Sequence, residues 1–426
     1  MGARAADTVQ AVFHEEWGRL LATLVRWLGD FDLAEEVAAE AIATAVVRWP
    51  AEGVPSHPTA WLLTTARRRA IDVLRRQRTY AAKLAILKVE AERADGGPAD
   101  AVTAPGSADV VDDDQLRLFF TCCHPALAPE ARVALTLRYL AGLSTAEVAR
   151  AFLVPAATMS QRLTRAKRKI REAQIPYRIP GSAEFPERLP AVLRVIYLVF
   201  TEAYAASHGP ALIRAELADE AIRLARILYR LLPCEREVAG LLALVLLVDA
   251  RRPARTDASG DLVLLEDQDR TRWNRTQIDE GTRLVEQALH GGSPGPYALQ
   301  AAIAALHDEA TSFERTDWRQ IVALYGVLQD VASSPLVALN RAVAVGIADG
   351  PAAGLAMLDQ LAVAGKLDRY RPFHVARADF LGRLRRFEEA ARAYRQALAL
   401  VGNDAERRFL ERRLADIEAD SLLRDE

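Results

Sequence analysis

Cysteine is scarce in this chain: Cys122, Cys123 and Cys234 are the only three in 426 residues. An odd number, two of them adjacent, does not make the even framework of a disulfide-stapled secreted domain. Long apolar runs are missing too. The longest, Leu241–Val248, has eight residues, whereas a bilayer-spanning helix needs about twenty. The opening Met1-Gly-Ala-Arg-Ala-Ala-Asp7 has neither an apolar core nor a cleavage site, so no secretory leader is expected. Alternating β-branched stretches are nearly absent. There is no phosphate-binding glycine loop and no spaced set of metal-ligating residues. These absences predict a cytoplasmic, non-enzymatic protein with no metal and no cofactor.

What the chain does contain is helix. Apolar residues make up 51% and charged residues 26%, and Ala- and Leu-rich segments repeat with the 3.6-residue period of an amphipathic helix. The predicted fold class is all-α. One stretch, Arg255–Leu265, reads as a short hairpin, with turn residues next to Leu-Val-Leu-Leu. The length predicts two to four domains at roughly 100–200 residues each, and the composition divides the chain at 8–80, 81–112, 113–175 and 185–426. The second of these is a linker. Between Glu90 and Asp114 it carries eight acids and one Arg, a composition that buries little and predicts mobility. Its charge should repel DNA, or fold back on basic helices.

Net charge is only −2, from 55 basic and 57 acidic residues. Electrostatic footprints are local, however, so clusters matter more than the sum. Residues 1–180 hold 24 basic and 21 acidic residues, and the rest hold 31 and 36. The strongest cluster lies in Leu143–Ile170. Ser144 and Glu147 have the spacing of a capping box. Val148 and Phe152 share a face, Leu153-Val154 make a turn, and Pro155 suits the start of the next helix. There Met159, Leu163, Ala166 and Ile170 form an apolar stripe opposite Thr158, Gln161, Arg162, Arg165 and Lys169. From Pro155 to Glu172 six basic residues face one acid. This is the pattern of a helix-turn-helix whose second helix reads DNA: Gln suits adenine, Arg suits guanine, and later cations suit phosphates. A solvated basic face on a core helix is the plainer alternative.

Pro58–Arg78 is a second basic segment, with six Arg and one Asp. Trp61 stands at its entrance, and aromatics beside arginines suit unstacked bases; taken alone, Trp61 reads more readily as core. A third segment, Gly29–Ile42, puts Asp32, Glu35, Glu36 and Glu40 on one helix at spacings of three and four. Such a face meets a basic partner or simply faces solvent.

In this order the three segments resemble bacterial RNA polymerase sigma factors of the extracytoplasmic-function type. The resemblance implies that Asp32, Glu35, Glu36 and Glu40 dock on the clamp of core RNA polymerase. It implies that Ser56, His57, Trp61, Arg67, Arg68, Arg75 and Arg76 capture and read the promoter −10 element. It assigns the −35 element to Ala156, Thr158, Ser160, Gln161, Arg162, Arg165 and Lys169. Region 2 would then occupy 8–80 and region 4 would occupy 113–175, with the two joined by the flexible acidic linker 81–112.

Thr121-Cys-Cys-His-Pro-Ala-Leu127, Leu264–Arg275 and Pro296–Ala305 resemble a subgroup with a C-terminal helical extension containing tetratricopeptide-like repeats, here 185–426. Some positions depart from the family pattern: Arg68 replaces Asn, Ala39 and Ile42 replace Gln and an aromatic, and Phe200-Thr-Glu-Ala-Tyr204 replaces Phe-Asn-Glu-Gly-Tyr. The resemblance implies that promoter DNA is a partner and that the extension meets a regulatory protein or the chain itself, with no membrane contact. Read without the resemblance, a helix-turn-helix regulator with a helical-repeat sensor domain fits the same segments.

Within the extension, Phe387, Ala390, Tyr394 and Ala397 have the spacing of the second helix of a tetratricopeptide repeat. Ala356 precedes Ala390 by 34 residues, Tyr325 precedes Tyr394 by 69, and Arg385 stands where such repeats usually have glycine. Chance spacing in an irregular bundle is the alternative. Three further groups invite chemistry. Cys122-Cys123-His124 lacks metal spacing and reads as buried thiols. Glu266, Asp267, Asp269, Arg270 and Arg272 read as a salt-bridged turn. Glu202 and Tyr204 read as a pocket lining or a satisfied core pair.

Overall fold

The structure, a computed structural model, describes residues 16–89, 108–152, 154–206, 212–363 and 365–425. It contains no named strand among them. The predicted hairpin survives only as a single antiparallel bridge, Thr256 to Leu262, with Asp257 N–H donating to Asp261 O at 3.0 Å. The chain divides into two compact units, up to Val195 and from Ile196 onward.

In the N-terminal unit, α1 covers residues 16–28. α2 is Phe31–Glu52 and α3 is Pro58–Val89. The Asp30 side chain caps α2, accepting from the Asp32 and Leu33 amides at 2.7 and 3.0 Å. A cap of this kind satisfies amides that have no partner within the helix. Val37, Ala38, Ala41, Ala45 and Trp49 bury one face of α2. Leu62, Ala66 and Ala70 do the same for α3, and the Trp49 and Trp61 rings meet edge to face at 5.4 Å. α3 continues nine residues past position 80, to Val89, and the next helix, α4, is Ala108–Cys122. The rest of the acidic linker, 90–107, lies outside the described residues.

α5 is Pro129–Leu135 and runs into a π-helical turn, Thr136–Leu140. α6, Thr145–Ala151, carries the complete capping box: Ser144 Oγ accepts from Glu147 N–H, and Glu147 accepts from Ser144 N–H. α7, Ala156–Glu172, buries Met159, Leu163, Ala166 and Ile170, the stripe expected from the sequence. Cys122 and Cys123 are buried free thiols at the end of α4, and burial pushes the Cys123 thiol up to about 12. No cluster able to hold a metal exists among the described residues. α8, Phe185–Tyr204, contains the boundary between the two units.

The C-terminal unit continues with α9 (Ala215–Leu231), α10 (Arg236–Ala250), α11 (Arg275–Leu289) and α12 (Pro296–Glu309). The apolar run Leu241–Val248 falls in α10, which is buried almost throughout because α9, α11 and α12 cover it; an all-round apolar helix needs such cover. Hairpins follow. α13 is Trp318–Val331, α14 is Pro335–Ala348 and α15 is Pro351–Val363. α16 is Arg371–Arg383, α17 is Phe387–Leu398 and α18 is Asp404–Asp425. The pair α14–α15 recurs as α16–α17, both helices starting thirty-six residues later.

Buried Ala390, Tyr394 and Ala397 line the core of the second pair. Ala356, chosen by a 34-residue spacing, is exposed, and buried Gly354 takes the packing position instead. A Cβ on Gly354 would lie 2.5 Å from the Phe380 ring and 2.6 Å from the Gly346 Cα. The helices therefore approach more closely than any side chain would allow. Arg385, at the expected glycine position, has φ +58°, the left-handed backbone that glycine adopts without strain.

The Glu266–Arg275 segment is held by hydrogen bonds and ring contacts and not, as expected, by ion pairs among its own charges; Glu266 instead lies 3.8 Å from Arg383. Arg270 is buried, donating to His307 O and Ala310 O at 2.5 and 2.8 Å, and its guanidinium lies 4.5 Å from the Trp273 ring centre. Arg251 pairs with buried Asp308 at 2.7 Å. Asp269 accepts from Thr271 and Asn274 caps α11. Glu202 pairs with Arg214 at 3.4 Å, and Arg255 lies 3.4 Å from the Tyr204 ring centre.

Candidate functional site

The candidate residues fall on three surfaces of the N-terminal unit. On α7 the buried stripe turns the opposite face outward. Ala156, Ser160, Gln161, Arg165 and Lys169 are exposed, and Thr158 and Arg162 are partly so. Arg165 donates to Gln161 O at 3.4 Å, and Arg168 pairs loosely with Glu172 at 3.5 Å. Arg165, Arg168 and Lys169 are open to solvent.

On α3, Arg67, Arg68, Arg75 and Arg76 are exposed, as are Ser56 and His57 in the preceding loop. Trp61 lies half-buried, its ring packed edge to face against that of Trp49. Its backbone N–H donates to His57 O at 3.2 Å. Arg67 sits 5.6 Å from the Trp27 ring centre. The side chain of Gln77 and those after it on this helix lie outside the described residues.

On α2 the four carboxylates are not equivalent. Glu36 is exposed. Glu40 pairs with Arg69 of α3 at 3.5 Å, both about half exposed. Asp32 and Glu35 instead meet the helix-turn-helix half of the unit. Glu35 Oε1 accepts from Arg138 Nε at 3.0 Å and from Arg138 Nη2, and its Oε2 accepts from Tyr139 Oη at 3.1 Å. Lys167 of α7 pairs with Asp32 and lies 3.9 Å from Glu35. Arg171 lies 3.9 Å from Asp32.

Arg138, Tyr139 and Lys167 are site residues that sequence reasoning missed. One signal was legible: Arg138 interrupts the apolar stretch Val133–Ala141, and a guanidinium in such surroundings needs a carboxylate partner. Burial together with the adjacent Glu35 carboxylate raises the Tyr139 hydroxyl well above its ordinary value, which keeps it a hydrogen-bond donor.

Asp114, at the end of the acidic stretch, is fully buried. It pairs with Arg26 of α1 at 3.0 Å and with Arg117 of α4 at 2.5 Å. Desolvation still leaves its pKa above the usual carboxylate value. This acid therefore belongs to the packing of the unit and does not fold back on the basic faces of α3 or α7.

The comparisons follow the same order along the chain. Residues 3–80 match sigma-70 region 2, residues 120–170 match sigma-70 region 4, and residues 188–289 match a family of unknown function, DUF6596. An uncharacterised protein of Rhizobium meliloti (strain 1021) is 43% identical over 401 residues, which is 94% of this chain and 93% of that protein. A probable ECF RNA polymerase sigma factor, SigI, of two Mycobacterium tuberculosis strains is 28% identical over 201 residues, 46% of this chain and 63% of its own length. Sigma-70 proteins are transcription-initiation factors that work with core RNA polymerase and promoter DNA, and they are not enzymes. With both DNA-facing regions matched in order, and a helical extension after them, the chain belongs to the sigma-70 family as an extracytoplasmic-function-like sigma factor.

Proposed function

We propose that the three surfaces divide promoter recognition among them. The α2 carboxylates Asp32, Glu35, Glu36 and Glu40 dock on the polymerase clamp. The Ser56-His57 loop, Trp61 and the arginines of α3 hold the opened −10 element, offsetting an unstacking cost of a few kcal/mol per base. The exposed face of α7 reads the −35 element. The C-terminal unit, with its thirty-six-residue repetition of helix pairs, acts as a tetratricopeptide-like regulatory extension that meets a partner protein or the rest of the chain. The protein works in the cytoplasm, beside its polymerase; no helix of the described residues is long and apolar enough to cross a membrane.

The observation that supports this reading best is the separation of roles on α7. Its four apolar residues are buried while Gln161, Arg165 and Lys169 face solvent. The test is in vitro transcription with purified core polymerase on genomic templates. Initiation from discrete start sites is the expected result. Footprints on duplex DNA without polymerase, and no initiation with it, would instead favour an ordinary repressor or activator.

A further inference from the structure

The last helix of the C-terminal unit is tied to segments near its start. Asn403, fully buried just before α18, donates from Nδ2 to Ala206 O, just past α8, at 3.0 Å. Its Oδ1 accepts from the Ala405 and Glu406 amides at 2.9 and 3.2 Å. Arg408 of α18 donates to Asp261 at 2.6 Å, and Arg412 pairs with the same carboxylate, next to the bridge at Thr256 and Leu262. The array of helices is thus joined end to end. Inside it lies a chamber of about 420 Å³, walled by Leu264–Glu266 and by residues of α12, α13, α14, α16, α17 and α18. Small-molecule sites span about 300–1,000 Å³.

The wall is mostly apolar and rich in rings. Phe313 and Trp318 have ring centres 5.0 Å apart, and Trp318 Nε1 donates to Phe313 O at 3.3 Å. Tyr325 joins the wall about two turns further along α13. Fixed ring faces of this kind suit a flat aromatic body. The charges of the wall cancel. Asp379 pairs with Arg383 at 2.8 Å and with Arg413 at 3.3 Å, and Glu266 lies 3.8 Å from Arg383. A charged guest would therefore lose water without gaining a free counter-charge. Polar atoms remain for an uncharged one. The His307 ring meets Trp318 edge to face at 5.1 Å, and its buried Nδ1 has no hydrogen-bond partner among the described residues. Such atoms are uncommon in folded proteins. Burial also holds this imidazole neutral. Asn340 of α14 adds an exposed amide to the wall. Nor is the chamber a sign of loose packing, since Phe380, another wall residue, is the ring that fills the space left by Gly346 and Gly354.

We propose that this chamber binds an uncharged, flat aromatic small molecule, its rings against Phe313, Trp318 and Tyr325 and its polar groups on His307 and Asn340. The site stands on the C-terminal unit alone. That its occupancy changes transcription rests on the reading of the extension as regulatory.

Calorimetric titration of the full chain with 2-naphthol tests the site, with 2-naphthoate and 2-naphthylmethylammonium as charged counterparts of similar shape. 2-Naphthol should bind one to one with a Kd on the order of 50 µM, an ordinary efficiency for so few atoms. Each charged counterpart should bind at least about tenfold more weakly. Ala376→Trp puts an indole into the chamber from a half-exposed position of α16 and should abolish binding. Asn340→Leu, at an exposed position, should weaken it about fivefold and carries the test if Ala376→Trp melts early. No saturable binding of 2-naphthol below about 1 mM overturns the site. Equal binding by wild type and both variants also overturns it, because the probe then sits elsewhere. Equal or tighter binding of a charged counterpart overturns the uncharged class. Transcription with core polymerase separates the site from its role. If 2-naphthol binds as expected, yet neither the probe nor Ala376→Trp alters transcript yield, the site stands and the regulatory reading falls.

Discussion

The two units are stabilised in different ways. In the N-terminal unit, distant segments are joined by polar links, Glu35 to Arg138, Asp32 to Lys167 and Asp114 to Arg26. Exposed cations crowd its surface. In the later hairpins of the C-terminal unit, α14, α15 and α16 meet through glycine and a ring, with Gly346, Gly354 and Phe380 at the point of closest approach. Ion pairs carry a desolvation cost that offsets much of their attraction, and the one at Asp32, whose carboxylate is about half exposed, is also open to screening by salt. Close helix packing is subject to neither. The first arrangement suits a part that exchanges partners, and the second suits a part that keeps its shape.

The largest effect should come from breaking the close packing. Gly354→Val puts atoms where Phe380 already stands, and overpacking of this kind costs about 3 kcal/mol. Calorimetry should show the C-terminal transition falling while the N-terminal one stays in place; a shift of both would mean that the two units do not unfold separately.

Next is the buried polar cluster of the same unit. Burial, with Arg251 and Arg270 nearby, lowers the His307 pKa to about 3. Burial raises the Asp308 pKa to about 6 despite Arg251. The lowered histidine contributes stability that is present above pH 6.5 and is lost as pH falls toward 3. The raised carboxyl contributes stability that is present below its ordinary value of 3.8 and is lost as pH rises through about 6. Between pH 7 and 5 the two oppose each other. His307→Gln removes the first, so the variant should gain about 1 to 2 kcal/mol relative to wild type on going from pH 7 to pH 5. Denaturant melts at the two pH values measure this, and parallel curves for both proteins would contradict it.

On the polar side of the comparison, Arg165→Ala removes an exposed cation from α7. Binding of the polymerase complex to the upstream element should weaken about tenfold, as expected for loss of one base or phosphate contact, with core affinity unchanged. Gel-shift titrations against promoters with and without that element check both halves. The smallest effect is expected at Arg385. With φ at +58°, Arg385→Gly relieves left-handed strain and should stabilise the C-terminal unit by about 0.5 kcal/mol, read as a slightly raised denaturant midpoint.

Local pattern made much of the fold legible. The stripe Met159, Leu163, Ala166 and Ile170, the Ser144–Glu147 box and the buried run in α10 were all apparent from spacing within a few turns of helix. The family was legible too, through three motifs in order. Less apparent was which charges are taken. Glu35 and Glu36 are adjacent and chemically alike, yet one faces Arg138, more than a hundred residues away, and the other faces solvent. The repeat register was legible only in part: spacing alone pointed to Ala356, but Gly354 makes the contact because two neighbouring helices and the Phe380 ring converge there.

The amino-acid order by itself determined which segments are helical, which faces of them are apolar, and where cations gather. These follow from a 3.6-residue period and the preferences of single side chains, which operate over one or two turns. Only the tertiary structure decided that α2 offers two of its four carboxylates to α7 and the π-helical turn. That choice depends on how α1 and α4 pack, and no periodicity encodes the distance between residues far apart in the chain.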